Sequence, residues 1–239
     1  MTTALVTDGA ERARIGPWHG DKTVGSITPQ PGSPPVSARL VHKCVEQLRR
    51  LGFREAVTAA MPPHESAGFV AAGFRESERL HLLERRITVA DRNPLVIPGG
   101  VHLRKARRSD LDGVLRVDAR SFGSFWRLDA AGVHDARTAT SYARYRLACR
   151  GDAAVGYAIT GRQGRAGYLQ RLAVDPDARG AGIGTALVMD GVHWLARWRA
   201  RSVVVNTQES NATALALYES LGFTRKPDGL TVWSARLEA

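Results

Sequence analysis

Lysine is nearly missing from this chain: four of its 34 basic residues are lysines, so a formal charge of +11 is carried by dispersed arginine. No dense basic block, zinc-finger spacing or aromatic-plus-basic stacking signature accompanies that charge, and nucleic acid is not expected as a partner. Cysteine is scarce as well. Cys44 and Cys149 are too few and too far apart for a disulfide framework or a zinc site, which fits a reducing compartment; no metal is expected, and the expected location is cytoplasmic. No apolar run approaches the roughly 18 residues that a membrane helix needs. Asp8 and Glu11 stand where a signal peptide would carry a cationic and then an apolar region, so the chain is expected neither to be secreted nor to span or bind a membrane.

What is present is apolar enough, at 44% of 239 residues, for one sizeable core or two small ones. Asn93, Pro94, Pro98, Gly99 and Gly100 resist helix and strand and mark 91–100 as a linker between a segment 1–90 and a segment 101–239. The second segment reads as a strand (Val101 to Arg104), then a helix through Leu111, Val114, Leu115 and Val117 capped by Ser109 and Asp110. An unpatterned stretch to Ala139 follows. Leu147 to Arg150, Ala154 to Gly161 and Gly167 to Val174 form an antiparallel meander by turn length. A helix, the strand Ser202 to Thr207, a helix after Asn211 stopped by Gly222, and a last strand after Lys226 complete the order. This is an α/β layout with helices flanking one mixed sheet.

The richest stretch joins the strand residues Leu172, Ala173 and Val174 to Asp175, Pro176, Arg179, Gly180, Ala181, Gly182, Ile183 and Gly184. Pro176 ends the strand, and glycines on alternate positions let successive N–H groups line one concavity. Helical spacing of Ile183, Leu187, Gly191, Trp194, Leu195 and Trp198 then places that concavity at a helix N-terminus, which favours a phosphate. A P-loop would need a Lys and a Ser or Thr after the last glycine, but Thr185 and Ala186 stand there. A dinucleotide fingerprint would need a different glycine spacing and an acidic residue after Val203, Val204 and Val205, where Asn206 stands.

With Asn211, Ala214, Leu217, Tyr218, Gly222 and Phe223 following some thirty residues later, the chain from about Val101 onward resembles the GNAT acetyltransferase superfamily. The run Ala216 to Phe223 is similar to that of bacterial ribosomal-protein N-terminal acetyltransferases. The resemblance implies a mixed, mainly antiparallel sheet flanked by helices and an acetyl-CoA-dependent N-acetyltransferase in which a primary amine attacks the thioester directly. Acetyl-CoA would be a co-substrate held by Leu172, Ala173, Val174, the turn Arg179 to Thr185, and Asn211. Tyr218 would protonate the departing thiolate, and a strand N–H near Val174 would steady the oxyanion. In N-terminal acetyltransferases of this kind a Glu at the end of the strand before the last helix can serve as base, and Asn206 stands there; Glu209, Gln170, Tyr168 and His134 are the nearby substitutes. Phe122, Phe125, Trp126 and His134 are implied to line the acceptor pocket. The acceptor, a small molecule or a protein, stays open, as does a homodimer, and the missing base leaves a catalytically impaired acyl-CoA-binding regulatory module as the alternative.

Phe69, Gly73 and Phe74, with Leu80, Leu82 and Leu83 beyond, repeat the spacing of Tyr218, Gly222 and Phe223. A helical run (Val41, Val45, Leu48, Leu51) and a strand (Ala56 to Ala60) precede them, so the first segment looks like a degenerate half of a second GNAT unit. Phe69 has no transferable proton, and Pro29, Pro31, Gly32, Ser33, Pro34 and Pro35 stand where the glycine turn would be, removing N–H donors. This half is expected to be non-catalytic.

Overall fold

A computed structural model of the chain describes residues 3–93 and 95–237; Pro94, which helps mark the linker, lies outside the described residues. In chain order the first elements are β1 (Ala4–Asp8), β2 (Glu11–Pro17), β3 (Val24–Pro29), α1 (Ala38–Arg50), β4 (Glu55–Thr58), α2 (Ala67–Ala71) and β5 (Arg75–Arg86). Next come β6 (His102–Lys105), α3 (Leu111–Ser121), α4 (Ala130–Thr138), β7 (Tyr142–Arg150), β8 (Ala153–Gln163), β9 (Ala166–Val174) and α5 (Ile183–Arg197). The last are β10 (Ser202–Gln208), α6 (Ala212–Ser220), β11 (Thr224–Arg225) and β12 (Leu230–Arg236). Residues 95–101 form neither helix nor strand.

Two compact units result. One runs to Leu82 and also takes Asn206–Asn211 and the chain from Lys226 onward; the other holds Leu83–Val205 and Ala212–Arg225. The sequence suggests a single cut near the linker, but the packing crosses that cut, because the final strand of the chain belongs with the first segment.

In the first unit β1, β2 and β3 form an antiparallel meander, and β4 runs parallel to β3 with α1 as the crossover. β12 lies between β4 and β5, antiparallel to both. The meander is an addition to the expected half-unit. Its signal was readable in β2, where Ala13 and Ile15 are buried and Arg12 and Arg14 are not, a period of two. α1 forms because Leu40, Val41, Cys44 and Leu48 make one apolar stripe, with Arg49 and Arg50 in the last turn to complement the dipole. The Ser37 hydroxyl accepts from the Leu40 N–H at 3.3 Å, and a Glu11 carboxylate oxygen accepts from the Ser37 N–H at 2.7 Å. A carboxylate thus sits beside this helix N-terminus. Phe69 and Phe74 meet edge-on at 5.4 Å, and the Phe74 N–H donates to the Phe69 carbonyl, as Phe223 does to Tyr218 in the second unit.

The second unit repeats the order of meander, helix, parallel strand and short helix. Its strands run β10, β9, β8, β7, β6, antiparallel except for the β9–β10 pair. Alternation sorts the side chains. Leu147, Cys149, Tyr157, Ile159 and Ala173 pack with Val114, Val117 and Val133 of α3 and α4, whereas Ala148 and Ala158 pack with Ile183, Leu187 and Leu195 of α5. Helices therefore cover both faces of a mainly antiparallel sheet, as expected. The stretch that looked unpatterned contains α4, begun by Asp129, whose carboxylate accepts from the Gly132 N–H at 2.7 Å. Among the described residues no helix is long and apolar enough to cross a membrane.

Candidate active site

β9 pairs with β10 through only three registered pairs, from Ala166 with Ser202 to Tyr168 with Val204. Its other edge continues along β8 to the pair of Val174 with Gly156. The register shifts at Ile159 and Thr160 of β8, leaving Gln170 as the extra residue of a bulge. Beyond the bulge the direction of each amide follows from one bond. The Asp175 N–H donates to the Val155 carbonyl at 2.9 Å, so that pair is the narrow one. Antiparallel pairs alternate, hence Val174 and Leu172 sit in wide pairs and their N–H and C=O groups face away from β8. Ala173 sits in a narrow pair, with its backbone turned to Tyr157 and its side chain buried toward α3. Of the three expected strand contributors, Leu172 and Val174 are thus presented at the splayed end and Ala173 is not. The Val174 carbonyl accepts from Ser121 Oγ at 3.1 Å and from Arg179 Nε at 3.4 Å.

The chain leaves β9 through a short 3-10 turn, Pro176–Ala178, and enters α5 through Gly182, which has φ +75° and offers no side-chain cap. Gly180 has the same positive φ. Left-handed backbone at both positions favours glycine and turns the intervening amides outward. A Cβ on Gly184 would come within 3.1 Å of Leu217, and one on Gly182 within 3.4 Å of Pro98, so side chains here would crowd the concavity. Ile183 is buried under the turn, whereas Arg179, Gly180, Ala181, Gly182 and Thr185 are exposed. Exposed donors at an uncapped helix start suit a pyrophosphate.

Tyr218 on α6 is buried, 5.6 Å ring to ring from Phe223, in the core that also holds Ile183 and Leu187. Burial pushes its hydroxyl well above the usual tyrosine range, while the positive charge of Arg171 pulls the other way. It is a neutral, proton-bearing group at any ordinary pH. Asn211 directly precedes α6 but groups with the other compact unit.

The residues implied as substitutes for the base sit on more than one element. His134 and Tyr168 are exposed, and Asn206 and Glu209 belong to the first unit. The side chain of Gln170 reaches Thr140 Oγ1 at 3.4 Å, and its Oε1 is buried without a partner. Sequence reasoning did not single out Asp118, Tyr157 or Arg171. Asp118 is fully buried, and Arg171 Nε and Nη2 donate to it at 2.8 Å each. Tyr145 meets Tyr157 edge-on at 6.2 Å, and burial pushes its unpartnered hydroxyl up to about 12. An Asp, an Arg and two tyrosines spread over more than fifty residues leave no local spacing to read.

The profile of the Acetyltransferase (GNAT) family matches residues 111–223. A mycothiol acetyltransferase of Geodermatophilus obscurus is 33% identical over 167 residues, covering 64% of this chain and 54% of that protein. One from Amycolatopsis mediterranei is 31% identical over 200 residues, covering 77% of this chain and 65% of that protein. The chain therefore spans from about half to just under two thirds of these relatives. The solved tandem GNAT protein from the clavulanic acid biosynthesis pathway, without AcCoA, has a TM-score of 0.70 at 17% identity, covering 99% of this chain and 84% of that one; this is a likeness of fold. The splayed strand and the glycine turn fall in the second unit, as does the profile match apart from residues 206–211, and the segment 111–223 belongs to the acetyltransferase (GNAT) family.

Proposed function

We propose that the chain is an acetyl-CoA-dependent N-acetyltransferase that delivers the acetyl group to the primary amine of a small molecule. The observation that supports it most is the junction, within one unit, of outward-facing Leu172 and Val174 amides with an uncapped, glycine-led helix N-terminus. Two relatives named for mycothiol incline the acceptor toward a small molecule and away from the ribosomal protein suggested by the Ala216 to Phe223 run.

Bound acetyl-CoA would supply an activated acyl group. The N–H groups from Gly180 to Thr185, with Arg179, would take its pyrophosphate, and the Leu172 and Val174 amides would align the pantetheine arm as a neighbouring strand would. Asn211 stays a candidate for that arm on the resemblance alone. The amine nitrogen forms the new bond to the carbonyl carbon as the carbon–sulfur bond breaks. The Val174 N–H faces the oxyanion, Tyr218 passes its proton to sulfur and regains one from solvent, and the amine proton leaves to water.

Asn206 in place of a carboxylate favours the second reading, a CoA-binding regulatory module, since the amide cannot take that proton. Both readings require acetyl-CoA to bind. A thiol-release assay with acetyl-CoA over a panel of amines and peptides separates them: release that depends on an added amine supports transfer, and binding without release under every amine supports the module.

A further inference from the structure

Asp118 is a fully buried carboxylate that the proposed transfer does not use. Besides Arg171, it accepts from the Tyr157 hydroxyl at 2.5 Å and from the Leu128 N–H at 2.7 Å. Such a pair is a poor way to hold a core together, because removing both charges from water offsets most of their attraction, and apolar side chains of similar volume often serve as well. What it does supply is direction. The forked guanidinium of Arg171 also donates to the Trp126 carbonyl at 2.8 Å and lies 3.5 Å from the centre of the Phe122 ring.

The segment 122–128 between α3 and α4 is thereby held at its start by Phe122, in its middle by Trp126 and at its end by Leu128. The end of α3 is tied to the same strand: Ser121 Oγ reaches the Val174 carbonyl, and Arg120 pairs with Asp175 at 2.9 Å. Arg171 itself directly precedes Leu172, whose amide faces the splay.

We propose that Arg171, held by Asp118, is a positioning residue for acceptor choice: it fixes Phe122, Phe125 and Trp126 as one rigid wall beside the splayed end of β9, which refuses bulky amines. This rests on the transfer reading above. The field of Arg171 at the Tyr218 hydroxyl is consistent with that placement.

The test compares wild type with Asp118→Leu/Tyr157→Phe/Arg171→Met, which replaces the polar group by apolar side chains, and with Arg171→Lys, which keeps the charge and loses the fork. Trypsin cleavage after the exposed Arg127, followed by mass spectrometry, reads release of the segment without reference to activity. The expected result is cleavage about tenfold faster in both variants, acetyl-CoA Kd within about twofold of wild type, and a ratio of kcat/KM for small over bulky amines that falls about tenfold, mainly through KM. Faster cleavage with unchanged amine discrimination overturns the wall, and unchanged cleavage overturns the latch; Arg171→Lys decides both if the triple variant fails to fold. Wild-type protein that binds acetyl-CoA but releases no thiol under any amine overturns the transfer reading instead, and the wall with it.

Discussion

The Tyr218 hydroxyl is buried in an apolar core and held far above its ordinary titration range, so it carries a proton at neutral pH. Tyr218→Phe removes that proton and leaves the ring packing with Phe223 in place. Turnover should fall by about 10²-fold or more, with acetyl-CoA affinity by calorimetry nearly unchanged. Gly182 tests the other end of the site. Gly182→Ala forces a side chain into left-handed backbone at the entry to α5, which should cost about 1 kcal/mol in denaturant melts and weaken acetyl-CoA binding about tenfold. The glycine turn was readable from spacing, whereas Leu172, Val174 and Tyr218 entered as candidates through the family resemblance, on elements whose local pattern is strong. Ala173 was expected to contribute as they do, yet the pairing with β8 turns its backbone away, and pairing phase is not written in a run of three apolar residues. Asp118 and Arg171 were unreadable for the opposite reason, since their partnership spans α3 and β9 and has no periodicity.

Helix N-termini distinguish the two units. α5 opens with an uncapped glycine, whereas the Ser37 hydroxyl caps α1 and the Glu11 carboxylate accepts from the Ser37 N–H. Ser37→Ala should lower stability by about 1 kcal/mol in urea melts while leaving acetyl-CoA Kd unchanged, because the cap lies in the first unit and the glycine turn in the second. The start of α3 carries a pH signature. Asp110 accepts two bonds from Arg104, each 2.7 Å, and one from the Arg107 N–H at 2.6 Å; the Arg104 guanidinium, more than any other group, holds its carboxyl down to about 2. A depressed folded-state value contributes stability above the unfolded value of about 4, and that contribution disappears as the pH falls toward 2. Urea midpoints of wild type should therefore drop between about pH 5 and about pH 2 by more than those of Asp110→Asn. At this scale the sequence located α1, α3, α5, α6 and most strands of the second unit. It passed over α4, a short helix of weak pattern, and the β1–β3 meander, where β2 alone carries a clear period of two.

Across the whole chain, β12 lies between β4 and β5, so the last strand completes the first unit. A chain starting at Pro98 would leave β12 with neither neighbour, and a chain ending at Arg225 would leave β4 and β5 unbridged. Both should aggregate, in contrast to the full chain, as light scattering would record, because bare strand edges pair with other copies. A soluble and fully active chain from Pro98 would remove any scaffold role for the first unit. The order of elements from β7 to α6, the repeat of Phe69, Gly73 and Phe74 against Tyr218, Gly222 and Phe223, and the placement of the glycine turn before α5 were set by the sequence, since each is a matter of neighbours along the chain. Where β12 pairs, which amides of β9 face the splay and how Asp118 meets Arg171 were decided only by the tertiary structure, because hydrogen-bond partners and buried charges are chosen in space among residues far apart in the chain.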